Sequence, residues 1–186
     1  GAIDQAALDT LARLWRNHKT DYKPLVDYAK DNNLTFVASN IPRRFASMVN
    51  KEGFEALEEL SAEEKAWVAP LPFPYDANLP RYQNILEMMA GHGTPNLVKA
   101  QASKDATMAH FILQHWEKGK LFIHYNGAYH TGFHEGIVWY VNQYQPGLNI
   151  LTISTVEQSD ITELKEEHLG EADFIICVDD NMTKTY

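Results

Sequence analysis

The sequence predicts an α/β domain with a mostly parallel sheet flanked by helices. Two patterns carry that expectation. Four short runs, Leu34–Ser39, Leu121–Asn126, Ile150–Thr155 and Asp173–Val178, are rich in β-branched or aromatic residues and are bounded by turn or helix signals. Helical periodicity fills the intervals between them, and strands spaced by helices form βαβ units. A hydrophobic fraction of 45% in 186 residues suffices for a core without disulfides.

Taken in chain order, Ile3, Ala7, Leu8, Leu11, Leu14 and Trp15 mark a first helix. Tyr22–Lys30 reads as a second, with Asp21 as its cap. Leu34–Ser39 is the first strand, and Asn40-Ile41-Pro42-Arg43-Arg44 closes it. The interval to the next strand is too long for one crossover helix. It holds helical stretches at Ala46–Asn50, Phe54–Leu60 and Ala62–Val68. Ser61 with Glu64 fits a capping box at the last of these. A hinge, Pro70-Leu71-Pro72-Phe73-Pro74, precedes a further helix around Arg81–Ala90. We read a single domain over residues 1–186 with a helical insertion at about 45–93 on the sheet edge. The longest helix is expected from Pro95 to about Lys118, with Thr94 capping it and Gly119 ending it. Because the chain opens on a helix, a further strand is expected ahead of Gly1.

The formal net charge is −9, from 16 basic and 25 acidic residues. That balance argues against nucleic acid and anionic membranes as partners, since both require a basic surface. Cys177 is the single cysteine and sits in an apolar run, which reads as a small buried hydrophobe. One cysteine excludes an intrachain disulfide and a cysteine-rich metal site. No C-x-x-C-H is present, so c-type haem attachment is excluded.

Candidate chemistry gathers at the expected carboxyl ends of the strands, where open parallel sheets bind ligands. In the long helix Gln101, Asp105, Met108 and Ile112 share one face, and Lys104 adjoins it. That face is apolar at one end, so Asp105 is expected near the sheet and in need of donors. It reads either as a site carboxylate or as a structural one. The second strand ends at Asn126, followed by a glycine-bearing loop to Gly136 that carries His130 and His134. Four residues apart, these histidines could share a metal if helical, but Gly127 and Gly132 weaken a helix there. His130 as a pocket histidine is the favoured reading. Asn40 and Arg43 fall at the end of the first strand, where an arginine fork could hold a carboxylate or phosphate, or simply lie on the surface. Tyr82, Met88, Met89 and His92 lie in or after the last helix of the insertion. Such side chains ligate or pack on haem, although Met88-Met89 also reads as core filling.

Several of these segments together resemble a known family. Asn40-Ile41-Pro42-Arg43 is similar to an N-x-P-R segment after an early strand. Ala100-Gln101, with Lys104-Asp105-Ala106-Thr107-Met108-Ala109, resembles an "AQ…RDATMA" helix. Asn126-Gly127-Ala128-Tyr129-His130, with Gly136 following, looks like a "GNxH…G" loop. These are features of the ChaN-like haem-binding family, related to the TIKI, TraB and erythromycin-esterase-like group. The chain departs from the pattern at Lys104, where the family has arginine, and in the order Asn126-Gly127. It also lacks the "GE-x-H" strand with which the family begins.

The resemblance implies a haem-binding protein in haem or iron acquisition, exported as a periplasmic or outer-membrane lipoprotein, with haem at the interface of a homodimer. On this reading Tyr82, Met88, Met89 and His92 contact haem, with a tyrosinate or histidine on the iron. Asn40, Arg43, Gln101, Lys104, Asp105, Asn126, His130 and His134 line the pocket, with no catalytic or metal residue assigned. Two alternatives accompany it. One is an interaction domain that keeps the fold without chemistry. The other is a metal-dependent hydrolase built on Asp105, His130 and His134, with Lys104 or Arg43 orienting an anionic substrate.

Overall fold

The computed structural model describes residues 4–12, 14–89 and 93–185. The chain divides into two compact units, residues 1–38 with 181–186 and residues 39–180. The first contains α1 (Gln5–Leu11), a π-helical turn (His18–Tyr22) and α2 (Lys23–Asp31). Asp4 caps α1 by accepting from the Ala7 amide. Asp21 does not cap α2; its carboxylate takes Asn17 and the Thr185 hydroxyl instead.

The second unit runs α3 (Arg43–Glu52), a 3-10 turn (Phe54–Leu57), α4 (Ala62–Lys65), α5 (Pro80–Met88) and α6 (Pro95–His115). Two 3-10 turns (Ala128–His130 and Gly132–His134), α7 (Ile137–Tyr144), β1 (Ile153–Gln158), a 3-10 turn (Glu166–His168) and β2 (Phe174–Asp179) complete it. The expected capping box forms, Ser61 accepting from the Glu64 amide while Glu64 accepts from the Ser61 amide. The Leu71–Pro72 peptide in the proline-rich segment is cis.

The framework is centred on α6. Its small residues Ala100, Ala102, Ser103, Ala106 and Ala109 are buried, so neighbouring elements approach its backbone closely. Ala100 packs with Phe45, Val49 and Leu57. Val98 and Ala102 pack with Tyr82. Ala106, Met108 and Ala109 pack with Ile137, Tyr140 and Val141 of α7. A helix covered on several sides is apolar around much of its girth, and α6 follows that rule from Val98 to Ala109. It ends at His115, with Trp116 as its cap, before Gly119 is reached.

The fold class is α/β, with a smaller sheet than the sequence suggests. β1 and β2 pair in parallel, from Ile153 opposite Phe174 to Gln158 opposite Asp179. Thus β1 lies three residues beyond the start expected at Ile150. Leu34–Ser39 and Leu121–Asn126 are irregular and join no ladder among the described residues. Most of their apolar side chains stay in solvent, with Leu34, Phe36, Ile123 and Tyr125 exposed and Leu121 86% exposed, while Val37 and Phe122 are half-buried. β propensity places such residues on a strand only when a neighbour supplies the pairing. β1 shows a related inversion: Ile153 is exposed while Ser154, Val156 and Gln158 are buried. The connection between the strands accounts for it. Ser154 donates to Glu171 at 2.7 Å, and Gln158 binds the backbone of Glu163 and Lys165. Cys177 on β2 is half-buried, more open than its apolar run suggests. Among the described residues, no helix is long and apolar enough to cross a membrane.

Candidate functional site

Asp105 is fully buried midway along α6, and α5 and the 127–136 loop bring donors to it. The Tyr82 hydroxyl of α5 donates to its Oδ2 at 2.8 Å. His130 Nδ1 lies 2.5 Å from its Oδ1. Burial pushes the Asp105 carboxyl above its ordinary range, and the His130 and Tyr82 hydrogen bonds pull against that rise. Burial also drives Tyr82 far above the usual phenol value, with the Asp105 charge adding to it. Tyr82 is therefore a neutral donor. The Tyr140 hydroxyl of α7 is held high by burial and by the same carboxylate.

Gly136 makes this approach of loop and helix feasible. It has φ +53°, and a Cβ there would sit 2.3 Å from the His130 carbonyl oxygen and 3.2 Å from Asp105 Oδ2. Only a residue without a side chain fits such a contact. Phe133 and His134 also adopt positive φ, 56° and 60°. Non-glycine residues seldom do so, and such backbone strain concentrates at sites.

With Nδ1 engaged by Asp105, His130 turns its other ring nitrogen, Nε2, away from the carboxylate. The imidazole is 19% exposed. Gln101 lies 2.8 Å from Nδ1, and Lys104 reaches Gln101 at 3.4 Å. Where Nδ1–H donates to the Asp105 carboxylate, the Gln101 amide nitrogen beside it cannot donate to the same atom, and Nε2 is left as an electron-pair donor. That arrangement suits a metal ligand or a general base.

The structure therefore brings Gln101, Lys104, Asp105 and His130 into one hydrogen-bonded group. Asn126 supports it from the end of the 121–126 segment, donating to the Gly127 carbonyl and the Thr131 hydroxyl. Its Oδ1 meets His124 Nδ1 at 3.0 Å, and His124 Nε2 meets the Ser39 hydroxyl at 2.8 Å. Since the Asn126 amide donates elsewhere, its oxygen accepts from His124 Nδ1–H, and Ser39 donates to Nε2. His134 parts from His130 and joins Asp173 at 3.2 Å beside Thr152. Asn40 and Arg43 are exposed and take no part in the group.

The expected haem contacts divide. Met88 is 68% exposed and Met89 is exposed beside it, so neither fills the core. His92 lies outside the described residues. The expectation that Tyr82 offers a tyrosinate to iron is corrected: it is 2% exposed and its hydroxyl is spent on Asp105. Arg81, Tyr129 and Gly136 are site residues that sequence reasoning did not select for a role. Tyr129 donates to the Arg81 carbonyl and to Asn84, and its ring carries the Arg81 guanidinium at 4.0 Å. A groove of about 400 Å³ beside Leu57, Val68 and Pro72 is lined by none of these residues.

The family described as "Haem-binding uptake, Tiki superfamily, ChaN" matches residues 1–141. The chain belongs to this ChaN family. The match covers Tyr82, Asp105, His130 and Gly136, whereas β1 and β2 lie beyond it. No curated protein and no solved structure matches the chain.

Proposed function

We propose that this ChaN-family chain binds haem for uptake, with His130 Nε2 presented to the iron. The observation that carries the reading is the buried Asp105 contact to His130 Nδ1, which leaves Nε2, without a hydrogen-bond partner among the described residues, as the electron-pair donor. An imidazole of fixed tautomer is a standard axial ligand of haem iron, and bound haem would supply the iron that accepts it. Exposed Met88 and Met89, with the Tyr129 hydroxyl reaching Met88 Sδ at 3.9 Å, provide soft apolar surface for a porphyrin. Export as a lipoprotein and a homodimer with haem at its interface extend the proposal and rest on the family alone.

A hydrolase needing a metal-bound water has less support. Among the described residues, no group of three or more His, Cys, Asp or Glu side chains is placed to hold a metal ion. Titration with haemin tests the haem reading: a saturable Soret shift is expected, and His130→Ala is expected to move or abolish it. An unshifted wild-type spectrum, or a His130→Ala titration identical to wild type, would overturn His130 as the ligand.

A further inference from the structure

We propose that Arg81 is the anion-reading residue of this site and takes a carboxylate carried by a planar aromatic ligand. The inference rests on the haem reading and adds a ligand contact to it. The Arg81 guanidinium lies 4.0 Å from the centre of the Tyr129 ring and 5.5 Å from that of Phe133. Two rings so placed fix its plane and its fork of donors. No ion pair is found for it among the described residues. Glu135 would be an obvious partner, but its Oε2 accepts from the Arg81 backbone amide at 2.9 Å.

The Nε–H of the same guanidinium is buried without an acceptor among the described residues. Arginine stays charged at any working pH, and a half-buried charge with an unmet donor is costly. A carboxylate arriving at the outer nitrogens would offset the cost of the charge. The surrounding chain is shaped around the guanidinium. Gly132 leaves it room, since a Cβ there would sit 3.1 Å from Nη2. Phe133 is held in its left-handed conformation by its amide donating to the Glu171 carbonyl at 2.8 Å. Tyr129 directly precedes His130, and Tyr82, Asp105's partner, directly follows Arg81. An anion on Arg81 thus belongs to a ligand that also reaches the His130 ring. The chemical class is a tetrapyrrole with free carboxylate arms.

The test compares haemin with its dimethyl ester in one detergent-containing buffer, followed by the Soret band. Wild type is expected to bind the ester about tenfold or more weakly, the scale of one lost charge-assisted fork. In Arg81→Gln the two ligands should bind alike, at about the wild-type affinity for the ester. Arg81→Lys should recover part of the difference. Equal binding of both ligands by wild type overturns the role of Arg81 and leaves the haem reading standing. So does an undiminished preference in a folded Arg81→Gln. Binding of neither ligand overturns both. The wild-type comparison does not depend on any variant folding.

Discussion

Gly136→Ala tests whether the close approach of the 127–136 loop to α6 is structural necessity or coincidence. At φ +53°, ψ −118° the backbone is in a region that costs an L-residue about 1–3 kcal/mol. The added methyl would also meet the His130 carbonyl oxygen at 2.3 Å and its carbon at 3.0 Å. These are backbone atoms, so relief requires the loop to move off Asp105. Overpacking of this kind costs about 1–3 kcal/mol more. We therefore expect a loss of roughly 2–6 kcal/mol in urea unfolding, read as a lower midpoint at unchanged slope. Haemin binding should fall with it, because the displaced carbonyl belongs to His130. Gly127→Ala is the control: its φ is −66° and a Cβ there meets nothing within 4 Å. That change should be neutral or stabilise by up to about 1 kcal/mol. If Gly136→Ala unfolds at the same urea concentration as Gly127→Ala, the packing argument fails.

Other changes probe separate parts of the account. Tyr82→Phe removes a donor from the buried Asp105 carboxylate and should cost about 1.5–3 kcal/mol in urea unfolding. The Soret position of a haemin complex should survive it, and a lost iron ligand would restore Tyr82 as the tyrosinate. Tyr144→Phe deletes a buried hydroxyl with no partner among the described residues, so it should be neutral or slightly stabilising in thermal melts. A loss above about 1 kcal/mol would reveal a partner. The Thr152 amide and hydroxyl, with His134, hold the Asp173 carboxyl at about 2, below its ordinary 3.8. A lowered value means a contribution present above pH 3.8 and lost as pH falls toward 2. Asp173→Asn should therefore flatten the acid limb of the stability profile over that window. An unchanged limb would contradict the Thr152 contacts.

The α6 helix was the most legible element because its signals are local. Thr94 and Pro95 start it, and its periodic face turns Asp105 toward the interior. The capping box at Ser61 was legible for the same reason. The expected strands at Leu34–Ser39 and Leu121–Asn126 were misjudged because pairing is not local. Alternating apolar residues establish that a segment can form a strand, while a ladder requires a second segment at the right distance. The pairing of Asp105 with His130, 25 residues away, was readable only as two features expected in one pocket. Tyr82 was singled out for a plausible chemistry but given the wrong role. A tyrosine on a mixed helix carries no sign of whether its hydroxyl points to solvent or to a buried carboxylate. Gly136 did carry a sign, since it precedes the apolar run that becomes α7, but the close contact that explains it lies across the fold.

The way the site is held bears on its chemistry. Asp105 and Tyr82 project from helices whose neighbours pack at the small residues of α6, so their positions are set by the core. His130 and Arg81's aromatic partners, in contrast, come from a strained loop with three consecutive or near-consecutive residues at positive φ, Phe133, His134 and Gly136. Such a loop keeps its shape only where contacts outweigh the strain. Asp105 on His130, Glu135 on the Arg81 amide and the Glu171 carbonyl on Phe133 are those contacts. Asp105 and Glu135 each bind through one group and leave another without a hydrogen-bond partner among the described residues, Nε2 of His130 and the Nε–H of Arg81, while the Phe133 ring faces the Arg81 guanidinium. Neither group is needed for the loop's own contacts, so an imidazole nitrogen and a cation are both left to a ligand. Their joint orientation, more than either residue alone, favours a ligand that is planar, aromatic and anionic.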